Sequence, residues 1–373
     1  METTLRNATL SDIATTLKEQ ADARFDVVAH SSSLGYLNGN LTIQGGAEPI
    51  ITDTGVTSGE VTLRPTDIFE DGIASRLDIP GRYLRKMRSG DEISLLDANV
   101  NTWLANSNKQ WFVRGFKTDN DEIGIARAFL SDRFNCYDNF DVLMAALTGI
   151  KNAGINVNVV GCDLTERRMS VRIEAPEVAA LAPDLLGNYK SPFTGATGAD
   201  NPTVFAGFIL SNSETGGGAF TITPRLVVQI CNNGMTITKD ALRKVHLGSK
   251  MDEGVIQWSN ETNRRNVELI TSQATDAVTT FCNVEYVRSK INEISEAAGQ
   301  AVEPTKVIEK ISKSLSFTEE ESEGILGHFI TGGDLTAGGV MHAVTSYSQT
   351  VFDPDRANMI EEAGLQALAL AAS

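Results

Sequence analysis

The sequence predicts an α+β protein: an antiparallel sheet flanked by helices, with a long helix and a helical C-terminal third. Three observations carry this reading. Between residues 111 and 260, apolar residues alternate in short runs bounded by Gly, Asn and Pro, the pattern of half-buried strands. From residue 261 no Pro or Gly interrupts the chain until Gly299. Beyond Pro304, apolar residues recur at helical spacing behind capping signals. The chain divides accordingly into an N-terminal mixed α/β region (1–110), a β-rich core with one inserted helix (111–260) and a helical C-terminal region (261–373).

In chain order, "LSDIATTLKEQADA" (10–23) reads as a helix with Ser11 or Asp12 as its cap. "NGNLTIQGG" and "GEVTLRP" read as short strands. "DIFEDGIASRLDIPGRYLRKMR" (67–88) gives two helices broken at Asp78–Gly81, with Pro80 suited to the first turn of the second. "EIGIARAFLS" (122–131) is a strand and "DNFDVLMAALTGIKNAG" (138–154) a helix. That helix places Val142, Leu143, Ala146, Leu147 and Ile150 on one stripe, and Gly154 stands where a C-terminal cap belongs.

"NVNVVGCDLTERRMSVRIEAPE" (156–177) is a hairpin with Met169, Val171 and Ile173 inward and Arg168, Arg172 and Glu174 outward. "GNYKSPFTGATGADNP" (187–202) is too irregular for an element, and such long loops are often functional or mobile. "TVFAGFILSNSETGGGAFTITPRLVVQICNNGMTIT" (203–238) gives two or three antiparallel strands, joined by "SNSETGGG" and by an Asn233–Gly234 turn. Pro224 belongs at a bulge or an edge, since it cannot donate to a ladder.

In the stretch after residue 261, Val267, Ala274 and Phe281 recur every seven residues, as do Ile270, Ala277, Val284 and Ile291, while Arg288 breaks the first series. The stripe fits either a long helix packed on its own sheet or an inter-subunit coiled-coil seam; over so few turns a 3.5- and a 3.6-residue period look alike. Four further segments follow: "TKVIEKISKSL", then "FTEEESEGILGHFI" with a Thr318-to-Glu321 capping box, then two helices split by Pro354.

Composition narrows the job. An apolar fraction of 41% with 21% charged residues is that of an ordinary globular chain. The formal net charge of −16 argues against non-specific duplex-DNA binding, whose affinity comes from Lys and Arg neutralising phosphates, yet leaves room for a local basic groove. It also discourages adsorption to anionic lipid. The N-terminal stretch carries acids early and lacks an uninterrupted apolar core, so a cytoplasmic protein is expected. No segment reaches the ~18 apolar residues of a membrane span. Cys136, Cys162, Cys231 and Cys282 are scattered without a C-x-x-C pair, which reads as four buried thiols rather than disulfides or zinc ligands.

No phosphate-binding loop, dinucleotide fingerprint, nucleophile elbow or H-E-x-x-H is present. His30, His246, His328 and His342 lie far apart and read as structural. The acidic runs "EEES" and "IEEA" read as solvated helix faces. No catalytic residue, cofactor or metal site is therefore assigned. Dispersed active sites leave no motif, so an enzyme is neither expected nor ruled out.

Charge clusters elsewhere. "GRYLRKMR" carries Arg82, Arg85, Lys86 and Arg88 around Tyr83; Arg167 and Arg168 flank a turn; Arg243, Lys244, His246 and Lys250 lead towards Arg264 and Arg265. Basic residues interleaved with an aromatic are what a single-strand binder uses to hold backbone and stack bases. The plainer account is that helix ends and hairpin tips of acidic proteins carry solvated Lys and Arg. The candidate contacts are Arg82, Tyr83, Arg85, Arg167, Arg168, Lys244, Arg264 and Arg265.

Several blocks in combination mark a relationship: "RAFLSDRFNCYDNFDVLMAAL", "QICNNGMTI" with Cys231, Asn233 and Gly234, "RKVHLGS", and "MHAVTSYSQTVFDPDRANMIEEAG" with His342 where Asn is common. Through them the chain, over roughly residues 65–365, resembles the phage/plasmid-like family of domain of unknown function 932. The resemblance implies an origin in bacteriophages, plasmids or their hosts, and no activity or catalytic residue. Within the first block, Arg127, Asp132 and Arg133 read as a structural junction where a strand turns into a helix, with Asp138 or Asn139 capping that helix and Arg127 pairing with Asp132 or an acid on a neighbouring strand. The functional expectation is a phage- or plasmid-encoded DNA-metabolism protein that binds or anneals single-stranded DNA as a homo-oligomer. The competing expectation is a factor that meets a host protein or defence system through its acidic surface.

Overall fold

The structure, a computed structural model, describes residues 3–46, 51–52, 55–56, 59–118, 122–134, 136–244 and 260–373. Strand β1 (Leu5–Ala8) leads into α1 (Leu10–Asp22), followed by β2 (Arg24–His30), β3 (Leu34–Leu37) and β4 (Asn40–Ile43). A two-residue ladder of β5 (Ile51–Thr52) and β6 (Gly55–Val56) precedes β7 (Val61–Pro65). Helices α2 (Asp67–Leu77), α3 (Gly81–Ser89) and α4 (Ile93–Ala105) come next, then β8 (Gln110–Phe116), β9 (Ile123–Ser131) and α5 (Asn139–Ala153). The central strands are β10 (Asn158–Leu164), β11 (Met169–Leu181), β12 (Thr203–Asn212), β13 (Phe220–Val228), β14 (Gly234–Thr236) and β15 (Leu242–Lys244), with short α6 (Pro183–Leu186) after β11. The C-terminal helices are α7 (Asn260–Phe281), α8 (Val284–Ala298), α9 (Pro304–Leu315), α10 (Glu319–Gly332), α11 (Ala337–Ser348), α12 (Pro354–Glu362) and α13 (Gly364–Ala371).

Two main sheets result. One runs β1-β10-β11-β12-β13-β14, with β15 also on β13, and every pair in it is antiparallel. The other runs β2-β8-β9-β7-β4-β3, in which β7–β9 is the one parallel pair among the described residues. The α+β class, the antiparallel sheet flanked by helices and the helical C-terminal third are thus present. The sheets cut across the boundary at residue 110: β1 and α1 belong with the seven-stranded sheet, whereas β8 and β9 complete the six-stranded one.

Each layer has its own apolar core. Met169, Val171 and Ile173 face α5, α7 and α8 together with Phe208, Phe220, Ile270 and Val278. Phe69, Ile73, Leu96, Val100 and Trp111 fill the six-stranded side beneath α2–α4. Ile311, Ile325, Phe329, Val344 and Ile360 join the C-terminal helices.

Local departures from expectation have visible causes. Helix α1 is capped by Thr9, with Asp12 at the third position completing a capping box, so neither Ser11 nor Asp12 is the cap. Pro80 sits one residue earlier than expected, as the N-cap of α3. The helix expected to run to Gly299 breaks at Asn283, whose extended backbone and Oδ1, accepting from Glu285 N–H at 2.8 Å, start α8 afresh. The heptad residues Ile270, Ala274, Phe281 and Ile291 lie in the molecule's own core, so the intramolecular account holds for them. The turn between β13 and β14 uses Asn232 at φ 55°, and Gly234 already belongs to β14.

Pro224 is paired in β13 opposite Phe208, but its carbonyl accepts from Ile237 on the far side, in the gap between β14 and β15, where the missing N–H has no ladder to serve. The last segment forms two helices, α12 and α13, where one was expected. The loop at 187–202 is tied down by a Lys190–Thr197 bridge, by Lys190 N–H to Gly332 and by buried Tyr189.

Candidate functional site

Helix α3 is short and basic; Leu84 and Met87 face the core, and Arg88 turns inward to buried Glu70, its Nε donating to Oε1 at 2.7 Å, which leaves Arg82, Arg85 and Lys86 on the solvent side. Arg82 and Lys86 are exposed, and Tyr83 is 41% exposed. Arg85 pairs with Asp71 on α2, and the same carboxylate takes Arg167 Nη2 at 3.2 Å from the β10–β11 turn. Two basic clusters separated by some eighty residues in sequence therefore meet at one acid. Asp71 is the sole carboxylate paired with Arg82, Arg85, Lys86 and Arg167 among the described residues. Exposed pairs of this kind are weak, so both arginines can exchange Asp71 for another anion at little cost.

The other predicted contacts are differently placed. Arg168 lies 3.6 Å from Asp355, at the start of α12. Arg264 pairs with Glu261 and Glu268, and Arg265 with Glu261 at 2.8 Å, all along α7. Their charge is answered within one helix. Lys244 is half-buried over the Tyr137 ring at 5.1 Å and donates to the Asn266 carbonyl; burial lowers its pKa. His246 and Lys250 lie outside the described residues.

At the predicted strand-to-helix junction, Asp132 and Arg133 sit in an exposed turn. Arg127 pairs with Glu214, at 2.7 Å, and not with Asp132. Glu214 comes from the loop after β12, in the other sheet, and its Oε1 accepts from Asn139 N–H at 2.6 Å. Glu214 thereby caps α5, and the Asp138 side chain, expected to do so, instead meets Arg24 and, at 2.7 Å, Arg114. Arg114 also reaches Asp26 and donates to Cys136 Sγ at 2.7 Å. These charges hold the two sheets together.

The cavity that sequence reasoning missed lies on the outer face of the seven-stranded sheet. Arg172 and Glu174, expected to face solvent, are instead roofed by α12 and the chain leading into it. The cleft measures about 250 Å³. Arg172 Nη1 meets buried Asp163 at 2.7 Å, and Arg6 meets the same carboxylate at 3.2 Å. Arg225 forms a fork on Glu361, Nε to Oε1 at 2.9 Å and Nη2 to Oε2 at 3.2 Å. Burial pushes the Glu174 carboxyl above its ordinary range, Glu361 adds to this, and Arg225 opposes it. The signal in the sequence was Arg172 and Glu174 alternating with apolar residues along β11, which cannot be told from an exposed face until α12 is placed.

Among the buried groups, His342 stacks on Tyr189 at 4.3 Å, and Asn233 Nδ2 donates to Thr345 at 2.8 Å while contacting Cys231 and lying near His342. Cys231 and His342 both touch Asn233 but are sealed from solvent, and burial raises the Cys231 thiol to about 11, so this is core rather than a nucleophile with its base. Among the described residues no group of three or more His, Cys, Asp or Glu side chains could hold a metal ion, and no helix is long and apolar enough to cross a membrane.

Compared with known protein families, curated proteins and solved structures, the chain matches none.

Proposed function

We propose that the chain is a phage- or plasmid-encoded DNA-metabolism protein that binds single-stranded DNA in the host cytoplasm, annealing or protecting it as a homo-oligomer, and that α3 with the β10–β11 turn forms the contact. The observation that carries this reading is the meeting of Arg85 and Arg167 on Asp71, beside exposed Arg82, Lys86 and Tyr83. Four cations against one paired carboxylate hold a phosphate backbone, and the ring offers a stacking face. Arg264 and Arg265 play no part in it, being neutralised by Glu261 and Glu268. The mobile-element origin rests on the sequence blocks alone.

The test is fluorescence anisotropy of a labelled oligonucleotide at increasing salt. The expected result is binding at low salt that weakens as salt rises. In Arg82→Ala/Arg85→Ala/Arg167→Ala the salt slope should fall by about 2, from ~0.7 per phosphate contact on single strands. Arg264→Ala/Arg265→Ala should bind like the parent. Absence of binding at low salt, or indifference to the triple substitution, overturns the reading.

A second reading, a factor that binds a host protein through its acidic surface, is favoured by the net charge of −16. A partner retained from host lysate after nuclease treatment, together with failure of the oligonucleotide assay, supports it.

A further inference from the structure

We propose that the cleft under α12 binds a nucleobase carrying an exocyclic amine, presented as a free nucleoside or as an unpaired base of a strand. The walls are built rather than incidental. A Cβ on Gly234 would lie 1.9 Å from Arg225 Nε, and one on Gly161 would lie 2.7 Å from Arg172 Nη2, so each arginine occupies space that a glycine leaves open. Both guanidiniums are then fixed from behind, Arg225 by Glu361 and Arg172 by Asp163. Fixed walls cost nothing to order when a ligand arrives.

The hydrogen-bonding capacity left over defines the ligand. Asn358 on α12 is only 5% exposed and lines the cleft, yet among the described residues its amide has no hydrogen-bond partner. Glu174 is buried and its sole ion pair among the described residues is Arg225 Nη1 at 3.9 Å, beyond hydrogen-bond range. The cleft therefore offers an acceptor (Glu174) next to a donor (Arg225 Nη1), with an amide that supplies one of each. Their polar atoms open onto the cleft, so a ligand with the matching edge exchanges water for paired partners there.

The complement is a planar edge with an N–H₂ beside a ring-nitrogen acceptor. Adenine and cytosine carry that edge; carboxylates accept from cytosine N4, and amides pair with adenine. Uracil, thymine and hypoxanthine put a carbonyl where the amine must stand, facing Glu174 with a second acceptor. Arg6, Arg172 and Arg225 are balanced by Asp163, Glu361 and Glu174, three charges against three, so the cleft reads the base edge and adds no net charge to hold phosphates. At about 250 Å³ the cleft falls below the ~300–1,000 Å³ of drug-sized sites and suits one base or nucleoside.

The experiment is calorimetric titration with adenosine, cytidine, uridine and inosine, alongside anisotropy with oligo-dA, oligo-dC and oligo-dT. Adenosine and cytidine should bind roughly 10-fold or more tighter than inosine and uridine, a preference that Glu174→Gln and Asn358→Ala abolish. Val160→Trp, at a rim position 48% exposed, should block the site without touching its polar groups, and melting curves check that each variant folds. If the preference is seen with oligonucleotides and not nucleosides, the same chemistry is read from a strand. Absence of discrimination between amino and oxo bases in both formats overturns the proposal. The outcome is separable from that of the α3 surface, because Arg82→Ala/Arg85→Ala/Arg167→Ala should leave nucleoside discrimination intact.

Discussion

Arg127 Nη1 donates to Glu214 Oε2 at 2.7 Å, and both residues are buried. The bond joins β9 of the six-stranded sheet to the loop after β12 of the seven-stranded one, while the other Glu214 oxygen caps α5. The Arg127 guanidinium also lies 4.6 Å from the Phe116 ring. A buried pair of this kind adds little net stability over an apolar substitute, but removing one partner strands the other charge. Glu214→Ala and Arg127→Ala should each lose about 3–5 kcal/mol in urea denaturation. Losses under about 1 kcal/mol would mean that water reaches the junction.

The same residue gives an acid signature. Burial pushes the Glu214 carboxyl up, but the Arg127 and Arg114 guanidiniums and the Asn139 N–H outweigh it and hold it below its ordinary value. A carboxyl with a depressed folded pKa stabilises the fold above its unfolded pKa and loses that contribution as pH falls through the folded one. The stability gap between the parent and Glu214→Gln should be full at neutral pH and close below about pH 4. A gap that stays constant with pH would place its origin in packing instead of charge.

Strand alternation and capping residues were enough to mark β9, α5, β11–β13 and α10, because each of those signals is local. The capping of α5 was not legible, since its acid, Glu214, stands 75 residues away. Likewise Arg172 and Glu174 alternate with Val171 and Ile173 as on any half-exposed strand, and only the return of α12 makes their face an interior. The break at Asn283 was within reach: an N-cap residue followed two positions later by Glu was there to weigh against the heptads. Of the basic clusters, sequence could nominate members but not show that Arg85 and Arg167 share Asp71 while Arg264 and Arg265 are spent on their own helix.

Helices α5 and α7 touch at Gly149. A Cβ there would lie 2.6 Å from the Thr271 carbonyl oxygen and 2.8 Å from Ala274 Cβ, and Thr275 Oγ1 donates to the Gly149 carbonyl at 3.1 Å. In an isolated helix alanine would be favoured over glycine by about 1 kcal/mol. Here Gly149→Ala should destabilise by roughly 1–3 kcal/mol, because two backbones must separate. A raised melting temperature would contradict the close approach.

Thr318 accepts from Glu321 N–H at 3.2 Å while Glu321 Oε2 accepts from Thr318 N–H at 2.8 Å, and Arg356 of α12 closes on the same Glu321 at 2.6 Å. The cap of α10 is therefore also the tether of the helix that roofs the cleft. Thr318→Ala should lose about 1 kcal/mol, the usual worth of a cap. Arg356→Ala should cost stability and loosen α12, visible as faster amide exchange over residues 354–362. Equal exchange in parent and variant would show that α12 is held by its apolar contacts alone.

His342 sets a different pH window. Burial lowers its pKa from 6.5 to about 4, the ring being sealed between Tyr189 and α11's surroundings. A base depressed in the folded state is refused a proton that the unfolded chain accepts, so stability falls as pH drops from about 6.5 towards 4. At ~1.4 kcal/mol per pH unit the loss is on the order of 3 kcal/mol. Of its neighbours, burial raises the Tyr189 hydroxyl and holds the Cys231 thiol at about 11, so neither titrates in this range. His328, half-buried against Ser346, is depressed by burial in the same direction and contributes with the same sign. In His342→Asn the slope of stability against pH should therefore be less positive than in the parent between 4 and 6.5, whatever the substitution does to stability at pH 7, since His328 and the burial-raised carboxyls such as Glu174 are common to both chains. An unchanged slope would place the titrating group elsewhere.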